Sequence, residues 1–178
     1  MVRGKQASLR KASVLIPITR PQADNESHIF LTVRSENLKS HAGQISLPGG
    51  SQDEQDADAI ATALRESEEE IGLQSSKVEV IGQLGDISLP SGFQVTPIVG
   101  LIDAGLHFTP CAIEVAHIFH VPLDLVLNTA SYRSSLMTFD NKPRKILELQ
   151  YEDYRIWGAT AAILYHLAKQ VTRYKDKN

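Results

Sequence analysis

The sequence predicts a layered α/β fold, and two observations carry that expectation. Short runs of β-branched and apolar residues bounded by turn residues recur along the chain, and two segments, one central and one C-terminal, place apolar residues at helical spacing. Strands flanked by helices imply helix and sheet layers packed on one another. At 178 residues the chain has the size of one compact domain, and no repeat, low-complexity tract or linker divides it, so 1–178 is read as a single domain.

In chain order, Ala12–Thr19 and His28–Arg34 read as paired strands, because the turn-rich stretch 20–27 separates them. Ser40–Gly50 holds too much Gly and Pro for a long helix and reads as a strand end or loop that delivers the chain to a helix over Asp56–Ile71. Lys77–Leu84 and Val95–Ile102 follow as strands, Pro122–Asn128 as a short helix, and Ser131–Asp140 with Lys145–Tyr151 as an antiparallel pair. From Trp157 to about Arg173, Ala161, Leu164, Leu167, Ala168 and Val171 fall on one helical face.

Composition narrows the function classes. A net charge of −3 argues against a broad nucleic-acid surface, which needs a cationic patch, and favours a small-molecule partner. Cys111 is alone, so it forms no intrachain disulfide and points to a reducing compartment; nothing around it marks a nucleophile. The basic start lacks the apolar core of a signal peptide and no stretch reaches transmembrane length, so a cytoplasmic protein that does not engage membranes is expected. Oligomeric state is not legible. The basic residues Arg173, Lys175 and Lys177 read as a solvated tail.

Placed on a wheel at about 100° per residue, the central helix separates into two faces. Ala57, Ile60, Leu64, Ser67 and Ile71 form a stripe expected to pack on a sheet, and Gly72 is a natural C-cap. Glu66, Glu69 and Glu70 share a second arc, while Glu68 points away. Three carboxylates on one arc repel each other, a cost that a hard divalent cation relieves. Arg65 lies one turn before Glu69, where an i,i+4 pair orients that carboxylate. A plain acidic surface is the alternative, but Gly49 and Gly50 precede the helix, and glycines permit close backbone approach to phosphate oxygens.

The segment from Gly50 to Leu73 resembles the Nudix box, written G-x5-E-x7-R-E-U-x-E-E-x-G-U with U apolar. Its second half is complete in Arg65-Glu66-Ser67-Glu68-Glu69-Glu70-Ile71-Gly72-Leu73, apart from Ser67 at the apolar position. The Gly50-to-Arg65 spacing is one residue longer than the pattern, and Asp53, Asp56 and Asp58 stand where a glutamate is usual. Upstream, Leu31-Thr32-Val33-Arg34-Ser35, Lys39 and Gly43 to Gly50 resemble L-L-T-x-R-[SA]-x3-R-x3-G-x3-F-P-G-G of the coenzyme A diphosphatase branch, with Phe30, Lys39 and Leu47 as departures. Residues 95–100 and 154–161 extend the likeness to the bacterial NudL-type group of that branch.

The resemblance implies a Nudix α/β/α sandwich with a mixed sheet, and hydrolysis of coenzyme A at its diphosphate with Mg²⁺ or Mn²⁺. It implies Glu66, Glu69 and Glu70 as metal ligands, with Glu69, Glu70 and Arg65 in the catalytic step. Arg34, Lys39, His41, Gly49 and Gly50 are the candidates for holding substrate. His41 is read either as touching phosphate or as capping its loop, Glu114 as a solvent-facing structural residue in preference to a carboxylate that approaches the site from a loop, and Trp157 as core packing in preference to an adenine platform. Two alternatives stay open: another nucleoside diphosphate derivative such as ADP-ribose or a dinucleotide as substrate, and a nucleotide-binding module without catalysis.

Overall fold

A computed structural model describes residues 9–177; most of the basic start, residues 1–8, lies outside the described residues. In chain order the elements are β1 (Arg10–Thr19), β2 (His28–Arg34), β3 (Ile45–Ser46), β4 (Gly49–Ser51), α1 (Ala59–Ile71), β5 (Glu79–Gln83), β6 (Ile87–Ser88), β7 (Phe93–Ile102), β8 (Val115–Pro122), α2 (Leu123–Leu127), β9 (Tyr132–Phe139), β10 (Lys142–Tyr151), β11 (Tyr154–Trp157) and α3 (Gly158–Lys175).

One strand pair organises the rest. β1 and β7 run parallel along their full length, Arg10 opposite Phe93 and Thr19 opposite Ile102. Antiparallel neighbours extend this pair: β2 and β4 join β1, β3 and β8 join β2, and β5 and β6 join β7. The result is a mixed sheet, and β9, β10 and β11 form a second, antiparallel one.

Alternation along the strands fills two cores, because successive strand side chains point to opposite faces. Leu15, Ile98 and Ile102 meet Ala63, Ile71 and Leu73 on the α1 face. Ile16, Ile18, Val95 and Val99 meet Ala161, Ile163, Leu164 and Leu167 of α3 on the other. Helix, sheet and helix are thus the expected α/β/α layers.

The paired β9 and β10, the short α2 and the long α3 all form, with bounds shifted by a few residues from those read in the sequence. β1 and β7 each begin two residues early; the strand expected over Lys77–Leu84 shortens because Ser75–Lys77 forms a 3-10 turn. The central helix begins at Ala59 rather than Asp56, since Asp58 is extended and its carboxylate accepts from Ala61 N at 2.8 Å, an N-cap. Ala57 therefore precedes the helix and is exposed, and the buried face is Thr62, Ala63, Ser67, Glu70 and Ile71, with Ile60 and Leu64 half-buried. Ser67 is tolerated in the core because its hydroxyl donates to Ala63 O at 2.7 Å. Gly72 ends the helix at φ 68°, its N–H bonded to Glu68 O, as the sequence predicts.

Candidate active site

Gly49 and Gly50 do not form a free loop. They belong to β4 and lie against β1, and each is glycine for a steric reason. A Cβ on Gly49 would stand 2.3 Å from Ser13 O, and one on Gly50 would stand 2.6 Å from the Glu66 carboxylate. Gly50 thus lets Glu66 lie against the strand. Gly49 N–H points at Glu70 Oε2 at 3.4 Å, so this amide faces a carboxylate.

Arg65 gathers the acidic groups. Its Nε and Nη2 fork onto Asp56 at 3.0 and 2.9 Å, Nη1 reaches Glu66 at 3.0 Å and Glu69 at 3.3 Å, and Nη2 also donates to Ser51 O at 3.1 Å. The i,i+4 pair with Glu69 exists, yet it is the longest of these contacts. Asp56 is the main partner, its side chain only 6% exposed, and it takes further hydrogen bonds from Asp53 N and the Thr62 hydroxyl. These donors hold the Asp56 carboxyl far below the usual carboxylate range, the Arg65 hydrogen bond contributing most. Sequence reasoning missed this residue. The signal was the Asp-rich, lengthened loop, where Asp58 caps the helix, Asp53 closes a turn onto Gln55 N, and Asp56 clamps Arg65.

The arc of Glu66, Glu69 and Glu70 divides by burial. Glu69 is exposed, Glu66 is half-buried, and Glu70 is buried at 6%. Burial pushes the Glu70 carboxyl up to about 8; the Gly49 N–H opposes this, the charges of Glu114 and Glu66 add to it, and Arg34 counters them. Glu66 is also raised, first by burial, with Arg65 opposing and Glu69 and Glu114 adding. Glu68 is exposed and off this arc.

Glu114 is exposed, as expected, though its position is not the expected one. It lies in the turn before β8, not in a strand, and its charge reaches both Glu66 and Glu70. The loop that carries it is tied to the end of α1, Thr109 N donating to Ile71 O and Cys111 N to Glu70 O. Cys111 is half-buried in that loop and serves it through its backbone.

The cations separate. Arg34 follows Phe30 and Thr32 on the α1 face of β2; its Nε is buried without a hydrogen-bond partner, and its charge acts on Glu70. Lys39 is exposed on the loop between β2 and β3, so the two do not act as a pair. His41 holds a left-handed φ of 55° in the same loop, and its Nδ1 lies 3.0 Å from Gln44 Oε1, a contact within the loop.

Trp157 also departs from expectation. It ends β11 instead of starting α3, is half-buried, and lines a cavity of about 420 Å³ rather than the core.

As placed, no three carboxyl, imidazole or thiol groups among the described residues converge closely enough to hold a metal ion, because Arg65 draws Glu66 and Glu69 to itself. The donor chemistry nonetheless fits a hard divalent cation. Glu66, Glu70 and Glu114 offer carboxylate oxygens only, and burial first, then repulsion among them, raises the proton affinity of Glu66 and Glu70, a cost that a cation relieves.

A profile of the NUDIX domain matches residues 9–109. The Nudix hydrolase NudL of Yersinia pestis, itself uncharacterised, is 42% identical over 167 residues, spanning 93% of this chain and 82% of the relative. Among solved structures, the Nudix hydrolase RenU of M. smegmatis superposes with a TM-score of 0.62 at 18% identity, over 93% of this chain and 86% of that one. The NUDIX domain of Shewanella oneidensis NrtR, solved with ADP-ribose, gives 0.51 at 19% identity over 71% and 81%.

Proposed function

The chain belongs to the Nudix hydrolase family, and from that premise we propose that it cleaves coenzyme A, or a derivative of it, at the diphosphate. The products are 3′-phosphoadenosine 5′-phosphate and 4′-phosphopantetheine. The observation that carries the reading is a buried carboxyl, Glu70, surrounded by the charges of Glu66, Glu114 and Arg34 on a strand whose sequence follows the coenzyme A diphosphatase pattern. That choice of substrate rests on residues 30–50; the choice of reaction rests on the helix.

Glu66 and Glu70, with Glu69 or Glu114, are the residues that would hold Mg²⁺ or Mn²⁺. The cation supplies Lewis acidity toward the diphosphate and toward the attacking water. The chain does the rest. Asp56 fixes Arg65, and Arg65 fixes the directions of Glu66 and Glu69. Either Glu69 or Glu70 accepts the proton of the water. Arg34, whose charge acts on Glu70, binds a phosphate oxygen of the diphosphate through its guanidinium, where a charge-assisted hydrogen bond is strongest. Lys39 and His41, on the exposed loop, meet the outer part of the substrate. A pure binding module would gain nothing from a buried, like-charged carboxyl that costs stability to keep.

We place the enzyme in the cytoplasm as a single domain. Its one cysteine fits a reducing compartment. The test is a hydrolysis panel of coenzyme A, dephospho-coenzyme A, ADP-ribose and a dinucleotide, with product identification, in Mg²⁺, in Mn²⁺ and after chelation. Coenzyme A turnover only with a cation is expected. Robust turnover after exhaustive chelation overturns the metal role, and preference for ADP-ribose overturns the substrate.

A further inference from the structure

The hairpin of β9 and β10 runs out past the core that supports it. Tyr132, Leu147 and Leu149 pack in the α3-side core, whereas Leu136, Met137, Phe139 and Ile146 belong to neither core, and Lys142 to Lys145 are all exposed. The overhang is still a defined ribbon. It closes through the two-residue turn Asp140-Asn141, whose φ angles of 49° and 58° match the twist of the flanking strands.

Charge and apolar surface are distributed on this ribbon by a simple rule. Each apolar residue on the outer half of β9 stands opposite a cation of β10: Leu136 faces Lys145, Met137 faces Arg144 and Phe139 faces Lys142. Leu136 is 76% exposed, and the side chains of the three cations make no ion pair or hydrogen bond among the described residues. Arg133 adds a fourth positive charge, and Asp140 in the turn is the only carboxylate from Tyr132 to Lys145. A chain of net charge −3 thus concentrates cations on one ribbon, while carboxylates crowd α1, which packs on the opposite face of the mixed sheet from α3 and β10.

These features select the partner. Unpaired cations call for an anionic surface, whose attraction falls off within a Debye length. The apolar side chains divide between the two faces of the ribbon, since Leu136 and Met137 are consecutive strand residues and point to opposite sides. A rigid protein surface covers one face of a ribbon and leaves the other wet; a lipid headgroup layer is fluid and closes round both. We propose that the hairpin of β9 and β10 docks this protein on an anionic lipid surface, with Leu136, Met137 and Phe139 entering the headgroup layer and Lys142, Arg144 and Lys145 meeting lipid phosphates. The contact is peripheral, for no helix among the described residues is long and apolar enough to cross a membrane. It revises the expectation of a protein that does not engage membranes, which rested on leaders, spans and whole-chain charge and so averaged this ribbon away. It also holds whatever diphosphate the carboxylate site cleaves.

The test is sedimentation of the full chain with vesicles of phosphatidylcholine alone and with about one third phosphatidylglycerol, each at low and at high salt. A partition coefficient at least about 30-fold higher on the anionic vesicles, lost at high salt, is expected. Arg144→Gln combined with Lys145→Gln is expected to lower that coefficient about 25-fold, and Leu136→Gln about 5-fold, each with an unchanged thermal melt. Should either variant melt early, Lys142→Gln alone, beside the turn, is expected to lower it about 5-fold. Equal partition on neutral and anionic vesicles, partition on neither, or well-folded variants that bind like wild type overturn the proposal. Poly-L-glutamate that outcompetes the anionic vesicles at equal charge overturns it too, by giving the ribbon to an acidic protein instead.

Discussion

Around the first turns of α1 the charges are satisfied, and near its C-terminal end they are not. Asp56 takes four donors from Arg65, Thr62 and Asp53, and Arg65 spends its fork on Asp56, Glu66, Glu69 and Ser51 O. Glu70 is buried where Asp56 is half-buried, yet it has one long hydrogen bond from Gly49 and two like charges nearby. A fold keeps the first arrangement for stability, because paired charges with filled hydrogen-bond capacity are tolerated in low dielectric. It keeps the second only at a cost, which is what chemistry at a cation requires. Substitutions therefore separate the regions: those at Glu70 and Glu66 act on rate, those at Asp56 on stability.

The largest effect falls on rate. Glu70→Gln and Glu66→Gln are each expected to lower kcat for coenzyme A at least about 100-fold, or about 2.7 kcal/mol of barrier, with Tm unchanged or higher, since burial disfavours the ionised form of both carboxyls. Paired kinetics and thermal melts check this. A Tm loss as large as that of an Asp56 variant would erase the distinction between the two regions.

A step smaller is Glu114. If its charge matters through Glu66 and Glu70, Glu114→Gln lowers kcat about 10-fold, about 1.4 kcal/mol, with no change in the melt. Unaltered kinetics with Mg²⁺ and with Mn²⁺ would return Glu114 to the structural role read from the sequence.

Asp56→Asn acts on the other quantity. Charge-assisted hydrogen bonds contribute about 1.5–3 kcal/mol, and a chain of this size loses about 2–4 °C in Tm per kcal/mol. Its pH signature has a definite sign. The folded carboxyl of Asp56 is depressed below the unfolded value, about 3.9, so its stabilisation is fully present above that value and is lost as pH falls below it toward the folded value. Urea melts of wild type should weaken below about pH 4, and Asp56→Asn should flatten that part of the curve. An equally steep acid branch in both proteins would assign the acid sensitivity to other groups.

Much of this contrast was legible before the structure. Apolar periodicity placed α1 and α3, and the i,i+4 spacing of Arg65 and Glu69 named a real contact. What periodicity could not supply was pairing over long sequence separations. β3 and β4 are two and three residues long, too short to alternate, so the stretch to Gly49 and Gly50 read as a strand end or a loop without a choice between them. The partner of Arg65, nine positions upstream, lies outside the helix, where wheel geometry says nothing. Glu114 reaches the site through a loop anchored by backbone bonds that any sequence could make. Trp157 was misread because β11 ends one residue before an apolar helix begins, and the hydrophobic pattern runs through that boundary without a break.

The smallest expected effect is also the cleanest control. Glu68 sits between Ser67, which is buried, and Glu69, and it carries the same charge on the same helix as Glu70. Its side chain is exposed, and its main contribution is the backbone oxygen that accepts from Gly72 N, which any residue would supply. Glu68→Gln should therefore change kcat by less than about twofold and stability by no more than about 0.5 kcal/mol, the usual range for a surface substitution. The variant removes one unit of negative charge two positions from Glu66 and Glu70, so it also separates local geometry from the general field of an acidic helix. If the reaction depended only on that field, Glu68→Gln and Glu70→Gln would lose activity in similar measure. Equal losses, measured side by side in the same cation, would show that burial and position along α1 do not divide its carboxylates into working and idle ones.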